Sequence, residues 1–184
     1  MVLGPQGYHR SVSDTRRIKG ECAQDDRSLA RLGSPQSLHK LMLPSESDWP
    51  NLSDYMVTSP VSEEYNCFAW SLEEDDRRWD PHEDYYWPPN IERELSIKTI
   101  IQIYEAFGYE TCGTGTLEAL YEKIAIYADS TGELTHVARQ LLNGRWTSKL
   151  GRFEDIEHGS VDDLTGPLYG QVVMYMRRIR GTAD

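Results

Sequence analysis

The segment from Lys123 to Lys149 permits little besides an antiparallel meander. Ile124 and Ile126 place apolar side chains on one face of an extended stretch, Lys123–Ala128. Asp129-Ser130-Thr131-Gly132 is a turn sequence, and Leu134–Leu141 reads as the strand that returns from it. Asn143-Gly144 is a dipeptide suited to the positive φ of a tight hairpin, so Arg145–Lys149 is expected to run back beside that strand. Gln171–Ile179, carrying Val172, Val173, Met174 and Met176, predicts a last strand. Phe153–His158 and Val161–Leu164 read as short helical pieces.

Helical signals lie upstream of the meander. Asn66 is a suitable N-cap, which puts Cys67 in the first turn of an apolar run through Leu72. Ile97, Ile100, Ile101, Tyr104 and Phe107 follow helical spacing, with Gly108 as the stop. Helices first and an antiparallel meander afterwards define an α+β pattern, not alternating βαβ units.

Charge divides the 184 residues unevenly. Residues 1–40 hold seven Lys/Arg against four Asp/Glu, whereas the whole chain has a net charge of −11. The expectation is a loose N-terminal extension over 1–40 and a single compact α+β domain over 41–184. So acidic a balance argues against nucleic acid and anionic membranes as partners. A protein or peptide substrate or partner, preferably basic, suits it better. No apolar run is long enough for a signal peptide or a membrane span, and Cys22, Cys67 and Cys112 have no zinc or disulfide spacing. A cytoplasmic location is expected, although leaderless export would leave no mark. Nothing in the sequence specifies an oligomeric state.

Two residues stand out chemically. A cysteine at a helix start is exposed to the dipole and to free N–H groups, which favour thiolate and can hold an oxyanion, with the Asn66 side chain as a further donor. His136, in Leu134-Thr135-His136-Val137-Ala138, would be held by a rigid strand, as a general base must be. A packed cysteine and a satisfied strand histidine are the plainer readings of each residue alone. Trp70, Trp87 and Trp146, with Tyr85 and Tyr86, are candidate cleft walls for peptide-like substrates, Trp70 and Trp146 reading first as core. Phosphate-loop, GxSxG and HExxH signatures do not occur, so no cofactor and no metal are expected.

The order of a helix-start Cys, a second helix and a strand His resembles papain-like cysteine hydrolases, most of all their compact NlpC-type branch. The matching residues are Asn66-Cys67, His136-Val137 and Asn143-Gly144. The resemblance implies a papain-like fold: a Cys-bearing helix and a second helix packed on an antiparallel sheet of about four to five strands. It also implies a third group on the next strand to orient the imidazole. That place falls at Ser148, whose hydroxyl can accept an imidazole N–H, while its neighbour Lys149 would repel an imidazolium. Asn143, Asp155 and His158 are the other candidates. Tyr65-Asn66-Cys67-Phe68-Ala69-Trp70, Thr135-His136-Val137-Ala138-Arg139-Gln140-Leu141, Arg145-Trp146-Thr147-Ser148-Lys149-Leu150-Gly151 and Glu154-Asp155-Ile156-Glu157-His158 further resemble a family of small bacterial proteins with no assigned activity.

The chemistry expected from these residues is that of a cysteine-dependent acyl-group enzyme. Cys67 would be the nucleophile, His136 the base and Ser148 the orienting group, acting on an amide or isopeptide bond as an amidase, peptidase, deamidase or transglutaminase. The alternative is a non-catalytic, acidic protein-interaction or regulatory module on the same fold.

Overall fold

A computed structural model describes residues 47–181. The expectation of a loose extension over 1–40 lies outside the described residues, as does Cys22. Seven strands form one antiparallel sheet: β1 (Tyr55–Val57), β2 (Glu110–Cys112), β3 (Tyr121–Ala128), β4 (Leu134–Gln140), β5 (Trp146–Lys149), β6 (Asp155–His158) and β7 (Gln171–Ile179). Their spatial order is β1-β6-β5-β4-β3-β7-β2. Two short helices, α1 (Cys67–Ser71) and α2 (Ile97–Ala106), and one 3-10 turn (Val161–Leu164) complete the described secondary structure.

The expected papain-like α+β architecture, with four to five strands, is therefore wrong. The protein is mainly a seven-stranded antiparallel sheet, and its helices have only five and ten residues. Two omissions and one misreading explain the difference. β1 and β2 are three residues each, too short to show an alternating pattern. Phe153–His158, rich in helix-tolerant acids, read as helical; Asp155–His158 is instead strand β6, paired on both sides with β5 and β1. Cross-strand pairing there overrides local propensity.

The meander forms as its turn residues require. β3 pairs with β4 around the Asp129–Gly132 turn, and β4 with β5 around Asn143-Gly144, where Gly144 has φ of 86°. β3 is buried along nearly its whole length because both sheet faces are covered. Ile124, Ile126, Val137 and Met176 pack with Trp79, Trp87 and the α2 residues Ile100, Ile103 and Tyr104 on one face. Ala125, Tyr127, Ala138, Trp146 and Ile156 pack with Trp49, Leu164 and Tyr169 on the other.

α2 matches its apolar spacing only in part. Ile100 and Tyr104 are buried, Ile97 is exposed, and Ser96 caps the helix by accepting the Thr99 N–H. α1 stops after five residues, where the Ser71 hydroxyl engages the Phe68 carbonyl at 2.7 Å and the Tyr104 hydroxyl at 2.7 Å. Among the described residues no helix is long and apolar enough to cross a membrane.

Gly170 anchors the entry to β7. It has φ of +70°, and a Cβ built there would lie 2.0 Å from the Ala128 carbonyl oxygen. Gly132 shares the left-handed backbone, with φ of +84°, but has open space around it. Gly170→Ala is expected to lose about 3 kcal/mol or more, from both strain and collision. Gly132→Ala should lose only about 1 kcal/mol, the backbone cost alone. Urea midpoints of the two variants check this difference.

Candidate functional site

The site is built where the β4–β5 ladder ends. These strands pair only at Arg139↔Thr147 and Gln140↔Trp146, so β4 continues past that point toward Val137 and His136 without β5 beside it in the ladder. α1 packs over β4 and β5 here. Asn66 holds its first turn: the side-chain oxygen accepts the N–H groups of Ala69 and Trp79, and the amide nitrogen donates to the Trp79 carbonyl at 2.6 Å. The amide oxygen and one amide hydrogen are committed to backbone groups, which braces the turn in which Cys67 starts α1.

Cys67 begins α1 and is only 9% exposed. The N–H groups of Val137, Cys67 and Phe68 and the positive charge of Arg78 favour its thiolate, but burial outweighs them and pushes the thiol pKa up. The expected low-pKa thiolate is thus corrected. A five-residue helix carries little macrodipole, and desolvation of a buried anion is the larger effect. Val137, whose N–H favours the Cys67 thiolate, immediately follows His136.

His136 lies on β4 and is 1% exposed. Its ring stacks on Tyr169 with centroids 4.2 Å apart and meets the edge of Tyr127. Nε2 is 3.0 Å from the Ser148 hydroxyl, whereas Nδ1 is buried without a hydrogen-bond partner. Ser148, the expected third group, is therefore in contact with the imidazole. The same hydroxyl is 3.0 Å from Nε2 of His158, whose Nδ1 is 2.8 Å from the Ser160 carbonyl oxygen. Burial, reinforced by His158, lowers the His136 pKa to about 3; burial also lowers that of His158. Both rings are neutral at pH 7.

Strand alternation separates Lys149 from this cluster. Ser148 faces the Tyr169 side, while Lys149 turns to the helix side, its Nζ 4.9 Å from the Tyr65 ring centroid and 4.0 Å from Asp155. Lys149 also donates to the Phe153 carbonyl, and Tyr65 donates to Asp155 at 2.6 Å. Repulsion between Lys149 and an imidazolium, expected from their adjacency in sequence, is thereby relieved. Asp155 is committed to the same group on the helix side. Asn143 lies in the exposed hairpin and bonds Glu157.

The aromatic candidates are dispersed. Trp70 is half-buried in α1 and donates to Thr147 at 3.1 Å. Trp87 is buried in the core under the helices and donates to the Glu92 carbonyl. Trp146 is buried in the opposite core. Cys112 ends β2, half-buried, with its sulfur 3.6 Å from the Thr114 carbonyl. Tyr169 was not legible as a site residue: it lies in a Pro-Leu-Tyr-Gly loop, and its stacking on His136 depends entirely on tertiary structure. Among the described residues, no group of three His, Cys, Asp or Glu side chains is arranged to hold a metal ion.

Fold and site together define a double-faced antiparallel-sheet protein with a buried His-Ser-His hydrogen-bonded row across β4, β5 and β6, and a buried Cys at the start of the helix that packs over β4 and β5. The chain belongs to the family described as Domain of unknown function (DUF7689), whose model matches residues 56–177. That span runs from β1 to β7 and contains Cys67, His136, Ser148 and His158. No curated protein matches, and no solved structure does.

The depressed His136 pKa sets a pH dependence. A base whose folded pKa lies below its unfolded value of about 6.5 contributes stability above that value. The contribution is lost as pH falls, because the unfolded chain takes up the proton first. Between pH 7 and 5 the protein should lose about 2 kcal/mol through His136 alone. His136→Gln, which cannot titrate, should lose that much less over the same interval, as read from urea midpoints at each pH.

Proposed function

We propose that the protein is a cysteine-dependent acyl-group enzyme, with Cys67 as nucleophile and His136 as base. The observation that carries this reading is the His136 ring. One nitrogen is held by Ser148 and the other is buried with no partner, and the amide of the next residue, Val137, is among the groups that favour the Cys67 thiolate. A buried polar atom without a partner is costly and calls for an explanation, and a base awaiting a proton is one.

The chemistry starts from two neutral groups. As the Cys67 sulfur bonds to a carbonyl carbon, its proton passes to Nδ1 of His136. Collapse of the tetrahedral adduct breaks the C–N or C–O bond. The imidazolium returns the proton to the departing amine or alcohol, and the acyl group stays on Cys67 as a thioester. Water or an amine then takes the acyl group, which covers amidase, peptidase, deamidase and transglutaminase outcomes. The Val137 N–H, which favours thiolate, acts on the sulfur that is released when the acyl group leaves.

The burial of both Cys67 and His136 favours the second reading, a non-catalytic and acidic interaction module. The two are separated with p-nitrophenyl acetate as a generic acyl donor. The acyl-enzyme reading expects an acetyl group on Cys67 by peptide mass spectrometry, with Cys112 as internal comparison. It also expects that His136→Ala slows this acetylation by about a hundredfold, the usual share of a general base. Cys67→Ser should fold with nearly unchanged Tm and release no nitrophenol burst. An unmodified Cys67, or equal acetylation in His136→Ala, would favour the interaction module.

A further inference from the structure

We propose that His158 is a positioning residue of the Cys67–His136 site, acting through the Ser148 hydroxyl to dictate which nitrogen of His136 carries the proton. Its functional meaning rests on the acyl-transfer reading, but the proton order itself follows from geometry.

The order is fixed from the far end. The Ser160 carbonyl oxygen can only accept, so Nδ1 of His158, 2.8 Å away, must carry a hydrogen. A neutral ring has one N–H, so Nε2 of His158 is a lone pair. That lone pair can only accept, and the group 3.0 Å from it is the Ser148 hydroxyl, which therefore donates to His158. A hydroxyl has one hydrogen. With it spent, Ser148 can meet Nε2 of His136, also 3.0 Å away, only as an acceptor. His136 must then carry its hydrogen on Nε2, leaving Nδ1 as a lone pair. Nδ1 is the buried atom without a partner.

The surroundings keep this order in place. His136, Ser148 and His158 are each at most 1% exposed, so solvent cannot supply an alternative partner. Tyr169 stacked on one face and Tyr127 at its edge restrict the His136 ring. Asp163, with an oxygen 3.9 Å from Nδ1 of His158, sits on the side that already carries the hydrogen and favours it there. The opposite tautomer of His136 would place its hydrogen on Nδ1 and abolish the base. Ser148 alone cannot prevent that, because a hydroxyl donates or accepts with equal ease; His158 removes the choice.

Long-range 15N–1H correlation spectra of the uniformly 15N-labelled full chain read the tautomers directly. Wild type should show His136 protonated at Nε2 and His158 at Nδ1. In His158→Phe the Ser148 hydroxyl loses its acceptor and is free to donate to Nε2 of His136, so a His136 form protonated at Nδ1 should appear. Acetylation of Cys67 by p-nitrophenyl acetate should then fall about tenfold or more. His158→Gln, which keeps an acceptor oxygen, should return the wild-type tautomer and most of the rate. A His136 protonated at Nδ1 in wild type overturns the proposal even if His158→Phe does not fold. So does a His136 that stays protonated at Nε2 in a folded His158→Phe. Tautomers as stated, with no acetyl group on wild-type Cys67, would overturn the acyl-transfer reading and leave the hydrogen-bond chain a structural element only.

Discussion

His136, Ser148 and His158 can be buried in the middle of this sheet because each answers the next. A polar group taken from water without a partner costs on the order of 1–3 kcal/mol. Here three of them, from three adjacent strands, share two hydrogen bonds and hand a third to the Ser160 carbonyl. The arrangement needs β4, β5 and β6 in one register: Ser148 is paired with Ile156 and Trp146 with His158. A one-residue slip of β5 would send Ser148 to the helix side and Lys149 in among the histidines. Satisfying the polar row and choosing the strand register are thus the same requirement.

The two sheet faces carry different chemistry as a result. Odd-numbered positions of β5 point toward α1, where Thr147 receives Trp70 and Lys149 meets Tyr65 and Asp155. Even-numbered positions point toward Tyr169 and hold the neutral histidine row. Lys149 and Asp155 compensate each other on a buried surface, where a lone charge would be several kcal/mol uphill. On β5 this alternation puts the charged Lys149 on one face and the Ser148 hydroxyl, with its neutral histidines, on the other.

The meander was legible because its signals are local. Asn143-Gly144 and Asp129–Gly132 specify turns by backbone chemistry, and Ile124/Ile126 specify a face. β1, β2 and β6 were not, because their existence depends on partners distant in sequence: Tyr55 lies against His158, and Glu110 against Arg177. Asp155–His158 has no apolar alternation to read, since only Ile156 is apolar, yet Asp155 and His158 are buried with it. With three strands unseen, the sheet was undercounted, and the order of helix-start Cys, second helix and strand His suggested a papain-like architecture that the seven-stranded sheet contradicts. Ser148 beside His136 was reachable only through the papain-like resemblance, which implied a third group on the next strand. The sign of the Cys67 shift was not, because a sequence shows that a cysteine starts a helix but not that the helix is five residues long and covered.

That sign bears on the proposed chemistry. An exposed thiolate–imidazolium pair stores its charges before substrate arrives. In this site both charged forms are opposed by burial, so the resting pair is thiol and imidazole. In the proposed reaction, charge would appear only as the sulfur attacks, and as a pair, one sign on each side of a single proton transfer. The Val137 and Phe68 amides and Arg78 favour the sulfur side. On the imidazole side, Ser148 can accept the Nε2 hydrogen of a cationic ring without giving up its bond to His158. A hydroxyl is a weak partner for a cation compared with a carboxylate. In a closed, low-dielectric site the proposed reaction would use that weakness: an imidazolium so weakly held would pass its proton on to the leaving group.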